Sequence, residues 1–337
     1  METAIYNLEE NRLREEIIKR KAKRVLIQLP EGLKREGPHL ATFVEKTGAL
    51  AVVSADPCYG ACDLATSEAE SLNADLIVHY GHTEMMKREG VSAIYIEARA
   101  NIDVEDAVRK AIPCLKNWER VGLTTTVQHI HQINKARELL LEAGKIVTIG
   151  DLGRVKYAGQ VIGCNFSNAK SISKDVDAFL FVGGGRFHGL GVALATMKPT
   201  IIADPYGKRA FSLEGEAKKI LKQRWANISE AKKAKNFGVL IGLKTGQQRL
   251  GEAIRIKEKF EKMGRNALLL ALKEITPQAL MEFPTIDAFV NTACPRLALD
   301  NVSKFRRPFI NWNEALVVLG EMNWEELWEK GWFENYT

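Results

Sequence analysis

The chain has 337 residues, 46% of them hydrophobic and 27% charged, with a formal net charge of +6. That composition fits a globular protein of two or three domains with substantial cores. It excludes several classes: no apolar run nears the ~18 residues of a membrane span, and the acidic start Met1 to Glu10 lacks the apolar core of a signal peptide. Five cysteines in so long a chain do not make a disulfide framework, so a cytoplasmic protein with thiols or metal ligands is expected.

The pattern along the chain is strand, helix, strand, helix, and it restarts twice. The opening strands are Arg24-Val25-Leu26-Ile27-Gln28, Arg120-Val121-Gly122-Leu123-Thr124 and Phe237-Gly238-Val239-Leu240-Ile241. Each leads to a helix that ends in a glycine, Gly48, Gly144 or Gly264, the expected left-handed cap. Second strands are read at Leu50-Ala51-Val52-Val53 and Gln160-Val161-Ile162-Gly163. A further set opens on Asp75, Asp177 and Asp287, spaced by 102 and 110 residues. A closing set follows at Ala93 to Ile96, Pro199 to Ala203 and Pro308 to Asn311. Such spacing repeats whole small domains, since solenoid units run only ~20–50 residues. The expected fold is α/β: three repeated small parallel-sheet domains, 1–110, 111–211 and 212–337, around a shared central site.

Between the second and third repeats, Ser212 to Lys235 is lysine-rich and helical in pattern. Its basic cluster, Lys218, Lys219, Lys222, Arg224, Lys232, Lys233 and Lys235, lacks interleaved aromatics. We read it as a solvated face, with no direct nucleic-acid contact. Near the end, Trp324, Trp328 and Trp332 share a helix face expected to pack on a neighbouring unit or subunit.

The cysteines carry the chemistry. Cys58, Cys164 and Cys294 each follow an apolar strand-like run, one in each third of the chain. Open α/β sheets place their sites at the carboxyl ends of parallel strands. By repeat register Cys58 and Cys164 are equivalent, at the ends of second strands, whereas Cys294 ends a later strand. Three thiolates would leave a metal site one ligand short and open to substrate. The opposing reading is five buried thiols acting as small hydrophobes. Cys62, four residues beyond Cys58 in a Cys-x3-Cys spacing and placed on a first helical turn among Ala61, Leu64 and Ala65, is an alternative ligand but is read as core packing; Cys114 is read as structural.

Paired cysteines of a structural zinc site are absent. His79 with His82, and His129 with His131, have metal-like spacing but are read as ordinary polar loop residues. Iron–sulfur clusters are thiolate-bound, and a three-cysteine [4Fe–4S] cube leaves one iron open. The Cys-x3-Cys-x2-Cys loop of the usual radical enzymes is missing. Gly183, Gly184 and Gly185 follow a strand and can bring backbone N–H groups to a ribose or carboxylate, or simply make a tight turn. Arg186, His188 and Arg296 are candidates for a substrate carboxylate or a target side chain, and the loop Lys244 to Arg249 for the same role.

Several segments resemble the archaeal diphthamide-synthesis family: Gln28-Leu29-Pro30-Glu31-Gly32-Leu33, Asp56-Pro57-Cys58-Tyr59-Gly60-Ala61-Cys62-Asp63, Ile162-Gly163-Cys164-Asn165, Val182 to His188, and Val290 to Arg296. The resemblance spans nearly the whole chain. It implies a homodimer whose subunits each hold a [4Fe–4S] cluster through one cysteine per domain, here Cys58, Cys164 and Cys294. It implies cleavage of S-adenosylmethionine between sulfur and the methionine Cγ, with an electron donor required. A 3-amino-3-carboxypropyl radical then adds to C2 of a histidine in translation elongation factor 2, and methylthioadenosine is released. The competing expectations are a quinolinate-synthase-like Lewis-acid [4Fe–4S] enzyme and a zinc or metal-free binding protein on the same fold.

Overall fold

Each opening run becomes the second strand across its own sheet. The computed structural model describes residues 5–85, 90–300 and 304–333. In the first sheet β1 (Arg24–Gln28), β2 (Leu50–Val53), β3 (Leu76–Tyr80) and β4 (Ser92–Ile96) lie in the order β2-β1-β3-β4. The second holds β5 (Arg120–Thr125), β6 (Ile146–Thr148), β7 (Ala178–Val182), β8 (Thr200–Asp204) and β9 (Arg209–Ser212), in the order β6-β5-β7-β8-β9. The third holds β10 (Asn236–Gly242), β11 (Asn266–Leu272), β12 (Ala288–Asn291) and β13 (Phe309–Asn311), in the order β11-β10-β12-β13. Every pairing is parallel except β8 with β9. The architecture is therefore α/β with three mostly parallel sheets.

The recurring aspartate has a mechanical explanation. Asp75 accepts the backbone N–H groups of Lys23 and Arg24, both at 2.8 Å. Asp177 accepts from Arg120 N at 2.9 Å, and Asp287 from Lys235 N at 3.0 Å and Asn236 N at 2.8 Å. Each carboxylate thus staples the start of the central strand to its neighbour, satisfying donors at the sheet margin. Gly48, Gly144 and Gly264 have φ of +89°, +76° and +72°, the left-handed turn that ends each first helix.

One strand assignment is corrected. The second strand of the middle sheet is Ile146–Thr148, and the run at 160–163 makes only isolated bridges, Gln160 to Thr125 and Ile162 to Asn165. The β-branched pair Val161-Ile162 imitates a strand, but the chain reaches the sheet edge only at Gln160 and then folds back on Asn165. Cys164 therefore ends a bridge and a tight turn, not a ladder strand.

The connector is the helix Glu214–Ala231. Lys218 pairs with Glu214 at its surface, but Arg224 does not belong to the solvated face. Arg224 is fully buried, bonds Glu314 through two nitrogens, and donates to the carbonyls of Ala298 (2.9 Å) and Phe309 (2.8 Å). Trp332, also fully buried, donates Nε1–H to Glu314 at 2.7 Å, and Trp324 packs edge-on against Trp225. The expected single helix face is corrected: the helix ends at Lys330, Trp328 stays exposed, and Trp324 with Trp332 beyond the helix closes over the connector and the third sheet.

The units are joined in two ways. One apolar core runs from Val161 to Phe333 and welds the second sheet to the third. The first sheet keeps a separate core from Leu8 to Ala98. Polar bonds tie it to the others: Lys244 to Asp63 at 2.9 Å, Thr245 to the Leu64 carbonyl at 3.0 Å, Gln128 to the Gly81 carbonyl at 2.7 Å and Lys156 to Glu97 at 2.7 Å.

Candidate functional site

The carboxyl ends of all three sheets face one cavity of about 1460 Å³. Its walls are the segments that follow β1, β2, β3, β5, β6, β7, β8, β10, β11 and β12. In each sheet the order reverses beside the opening strand, the switch point where open sheets leave a crevice. Four of the five thiols line it: Cys58, Cys62, Cys164 and Cys294. Cys114 is exposed, with its thiol 3.8 Å from the Lys110 carbonyl, outside the site.

The loop after β2 carries Cys58 and Cys62. Cys62 lies in a turn before the helix Thr66–Ser71, not on its first turn, and its half-buried side chain faces the cavity. This overturns its reading as core packing. The loop after β10 fixes it: Gly246 N–H donates to the Cys62 carbonyl at 2.6 Å, and Gln247 Nε2 donates to its sulfur at 3.6 Å. Cys164 sits in the Ile162–Asn165 turn, whose two reciprocal backbone bonds are both 3.2 Å. A Cβ at Gly163 would stand 2.8 Å from the Phe187 ring, so any larger residue here would push that ring aside. Cys294 directly precedes the helix Pro295–Asp300, and Asn291 Nδ2 holds its carbonyl at 2.6 Å.

Burial raises all four thiols, Cys58 and Cys294 to about 12. The charge neighbours resolve the arrangement. Beyond burial, Cys164 is raised chiefly by Cys62 and then Cys294, and Cys294 chiefly by Cys62. Cys62, Cys164 and Cys294 therefore form the trio at the meeting of the sheets. For Cys58, the neighbours after burial are Asp63 and then Cys62. It is the one fully buried thiol of the four, and it meets His79 and His82. Thiols this reluctant to ionise alone become thiolates only beside a cation.

The remaining candidates divide. Arg296 lines the cavity with its guanidinium 3.8 Å from the Phe187 ring centroid. Two of its nitrogens bond Asp300 at 2.9 and 2.7 Å, while buried Nη1 has no partner among the described residues. His188 lines the cavity between Phe181 and Phe187, held neutral down to about 3 by burial and then by Arg296. Gly184 and Gly185 reach the cavity, whereas Gly183 lies behind them against Phe181. Arg186 does not enter it: it is exposed, paired with Glu216 and laid over Phe211. His129 is buried in the wall, but His131 turns outward toward Gln132, so the two are no metal pair. In the loop Lys244 to Arg249, Lys244 is taken up by Asp63 and Glu274 at 2.9 and 2.5 Å. The sequence pointed to this loop for a substrate or target contact, but not to the bond Gln247 makes with the Cys62 sulfur.

A sequence-family profile described as "Putative diphthamide synthesis protein" matches residues 29–329. The chain belongs to this diphthamide-synthesis family. A 2-(3-amino-3-carboxypropyl)histidine synthase of Pyrococcus horikoshii is 40% identical over 301 residues, covering 89% of this chain and 86% of that protein. The synthase subunit 1 of Kluyveromyces lactis is 30% identical over 320 residues, covering 93% and 75%. The crystal structure of Dph2 from Pyrococcus horikoshii with a 4Fe–4S cluster superposes with a TM-score of 0.86 at 37% identity, over 95% of this chain and 93% of that one. The diphthamide-family relatives carry the name of a transferase, and the chain is an enzyme of that class. No described helix is long and apolar enough to cross a membrane.

Proposed function

We propose that this chain catalyses the first step of diphthamide synthesis. It transfers the 3-amino-3-carboxypropyl group of S-adenosylmethionine to C2 of a histidine in translation elongation factor 2 and releases methylthioadenosine. The observation that carries the reading is the mutual approach of Cys62, Cys164 and Cys294 at one cavity, each delivered by a different sheet. The donor set fits a [4Fe–4S] cluster: three sulfurs, deeply placed, with an open side toward a cavity large enough for a nucleoside. The register-based choice of Cys58 gives way to Cys62, because Cys62 is the thiol that neighbours both others. When bound, the cluster supplies an electron and an open iron for the amino-acid end of the substrate.

The protein's own groups orient and enclose. Nη1 of Arg296, without a partner among the described residues, suits a carboxylate, and the Phe187 ring beside the planar guanidinium holds it in place. Backbone at Gly184 and Gly185 can approach the ribose closely. His188, held neutral by burial in the cavity wall, can orient the target imidazole. The working unit is a homodimer in the cytoplasm, with an electron donor as partner, and 1–110, 111–211 and 212–337 serve as its three domains.

The test is anaerobic. Reconstituted, reduced enzyme is incubated with carboxyl-labelled S-adenosylmethionine and archaeal elongation factor 2. Label should enter the factor as methylthioadenosine appears. An iron-bearing protein that leaves the factor unlabelled would sink the reading, and quinolinate formation in a parallel assay would replace it.

A further inference from the structure

Beside the thiol trio lies a second set of donors that the transfer reaction does not use. Cys58, His79 and His82 each offer a ligand atom within 4.8 Å of the other two. His79 ends β3, His82 follows two residues on, and Cys58 comes over from the loop after β2. Cys58 and His79 are buried, and His82 with Cys58 forms part of the cavity wall.

The hydrogen-bond network fixes how His79 is presented. The Gln28 amide is oriented by two backbone partners: its Nε2 donates to the Asp63 carbonyl at 2.6 Å and its Oε1 accepts the Ala65 N–H at 3.1 Å. The same oxygen lies 2.8 Å from His79 Nδ1, so that nitrogen carries the proton. His79 Nε2 is therefore a bare lone pair, aimed at His82 Nδ1 only 2.9 Å away. A histidine whose far N–H is held by a carbonyl-type oxygen is the usual support of a metal ligand. A single-residue explanation, ordinary core packing, does not account for a thiol and two ring nitrogens brought together from two chain segments.

We propose that Cys58, His79 and His82 bind one borderline-soft divalent cation of the zinc class, separate from the iron–sulfur cluster. One thiolate and two imidazoles make three ligands of a tetrahedral set, and the fourth position opens on the cavity. Binding releases the Cys58 thiol proton and moves the His82 proton to its other nitrogen, so the site loads as one S and two N donors. The ion would tie the Cys62 loop to the end of β3. The proposal rests on the cluster using Cys62 and leaving Cys58 free.

The experiment uses full-length protein, anaerobically reconstituted with iron and sulfide, loaded with Zn²⁺ alone and desalted. Metal analysis and zinc-edge X-ray absorption are compared for the unaltered chain, Cys58→Ala, His82→Asn and a Cys114→Ala control. The expected result is one zinc per chain with a single sulfur near ~2.3 Å and nitrogens near ~2.0 Å. Cys58→Ala should lose the sulfur signal and at least about tenfold in zinc affinity while keeping its iron. His82→Asn should lose zinc likewise, and Cys114→Ala should match the unaltered protein. No retained zinc, or zinc with three sulfurs, overturns the proposal, as does loss of iron together with zinc in Cys58→Ala. If the unaltered chain fails to assemble iron, the cluster reading fails separately, and the sulfur signal lost or kept in Cys58→Ala still decides this one.

Discussion

Gly246 donates its backbone N–H to the carbonyl of Cys62 across 2.6 Å, so a loop of the third sheet sets the position of a thiol from the first. The neighbouring Gln247 adds a side-chain bond to the sulfur itself. The sites of this enzyme therefore depend on the docking of units as much as on any one of them.

Iron content of alanine variants separates the two first-sheet thiols. Cys62→Ala, Cys164→Ala and Cys294→Ala should each lose most of the cluster iron after anaerobic reconstitution. Cys58→Ala and Cys114→Ala should retain it. Retention by Cys62→Ala with loss by Cys58→Ala would restore the register-based assignment.

Gln247→Leu removes the N–H···S bond without removing a ligand. Hydrogen bonds to sulfur stabilise the more negative, reduced cluster, so the potential should fall, by on the order of tens of millivolts. Spectroelectrochemical titration at unchanged iron content reads this. An unshifted potential would mean the bond is not made in the loaded enzyme.

Arg296→Lys keeps a cation near Asp300 but loses the planar fork and its Nη1. Affinity for S-adenosylmethionine should drop about tenfold, a cost of about 1.4 kcal/mol. Decarboxylated substrate analogue should bind both proteins alike. Equal loss for the analogue would assign Arg296 to packing against Phe187.

The Arg224–Glu314 pair is fully buried and also anchors Trp332. Removing one partner strands the other charge, so Glu314→Gln and Arg224→Met should each cost about 3–5 kcal/mol in denaturant unfolding. Changing both together should cost less than the sum of the two. Additive costs would show that the charges are not coupled.

His129 is held neutral down to about 4 by burial, and neither ring nitrogen has a partner among the described residues. Its folded value lies below the unfolded one, so the unfolded chain takes up the proton first. Stability is full above about pH 6.5 and drains as pH falls toward 4, by up to about 3 kcal/mol from this residue. His129→Phe should flatten that part of the pH–stability curve. An unchanged slope would locate the acid sensitivity elsewhere.

Much of this was legible in the sequence because the same physical device recurs. Asp75, Asp177 and Asp287 repeat since each staples the start of its sheet, and Gly48, Gly144 and Gly264 repeat since each needs a left-handed turn. Cys164 and Cys294 could be picked out because loops beyond strands seldom need a thiol for packing. The choice between Cys58 and Cys62 was not legible. Ala61, Leu64 and Ala65 suggested a buried helix face, but the helix begins only at Thr66, and the third-sheet loop that orients Cys62 lies 182 or more residues away in the chain. Arg186 and Arg296 looked alike in sequence. A local pairing with Glu216 took the first out of the cavity, and the Phe187 ring kept the second in.

The seam around the first sheet is made of hydrogen bonds and ion pairs, whereas the second and third sheets share one apolar core. Water can replace each polar bond at little net cost, but it cannot replace the core. The two halves of the thiol trio therefore differ in permanence. Cys164 and Cys294 ride on sheets that share one core, and Cys62 arrives on a door hung by polar bonds. A chain with that door ajar would offer two sulfurs to an arriving metal donor and close the third over it, so loading and docking become one event.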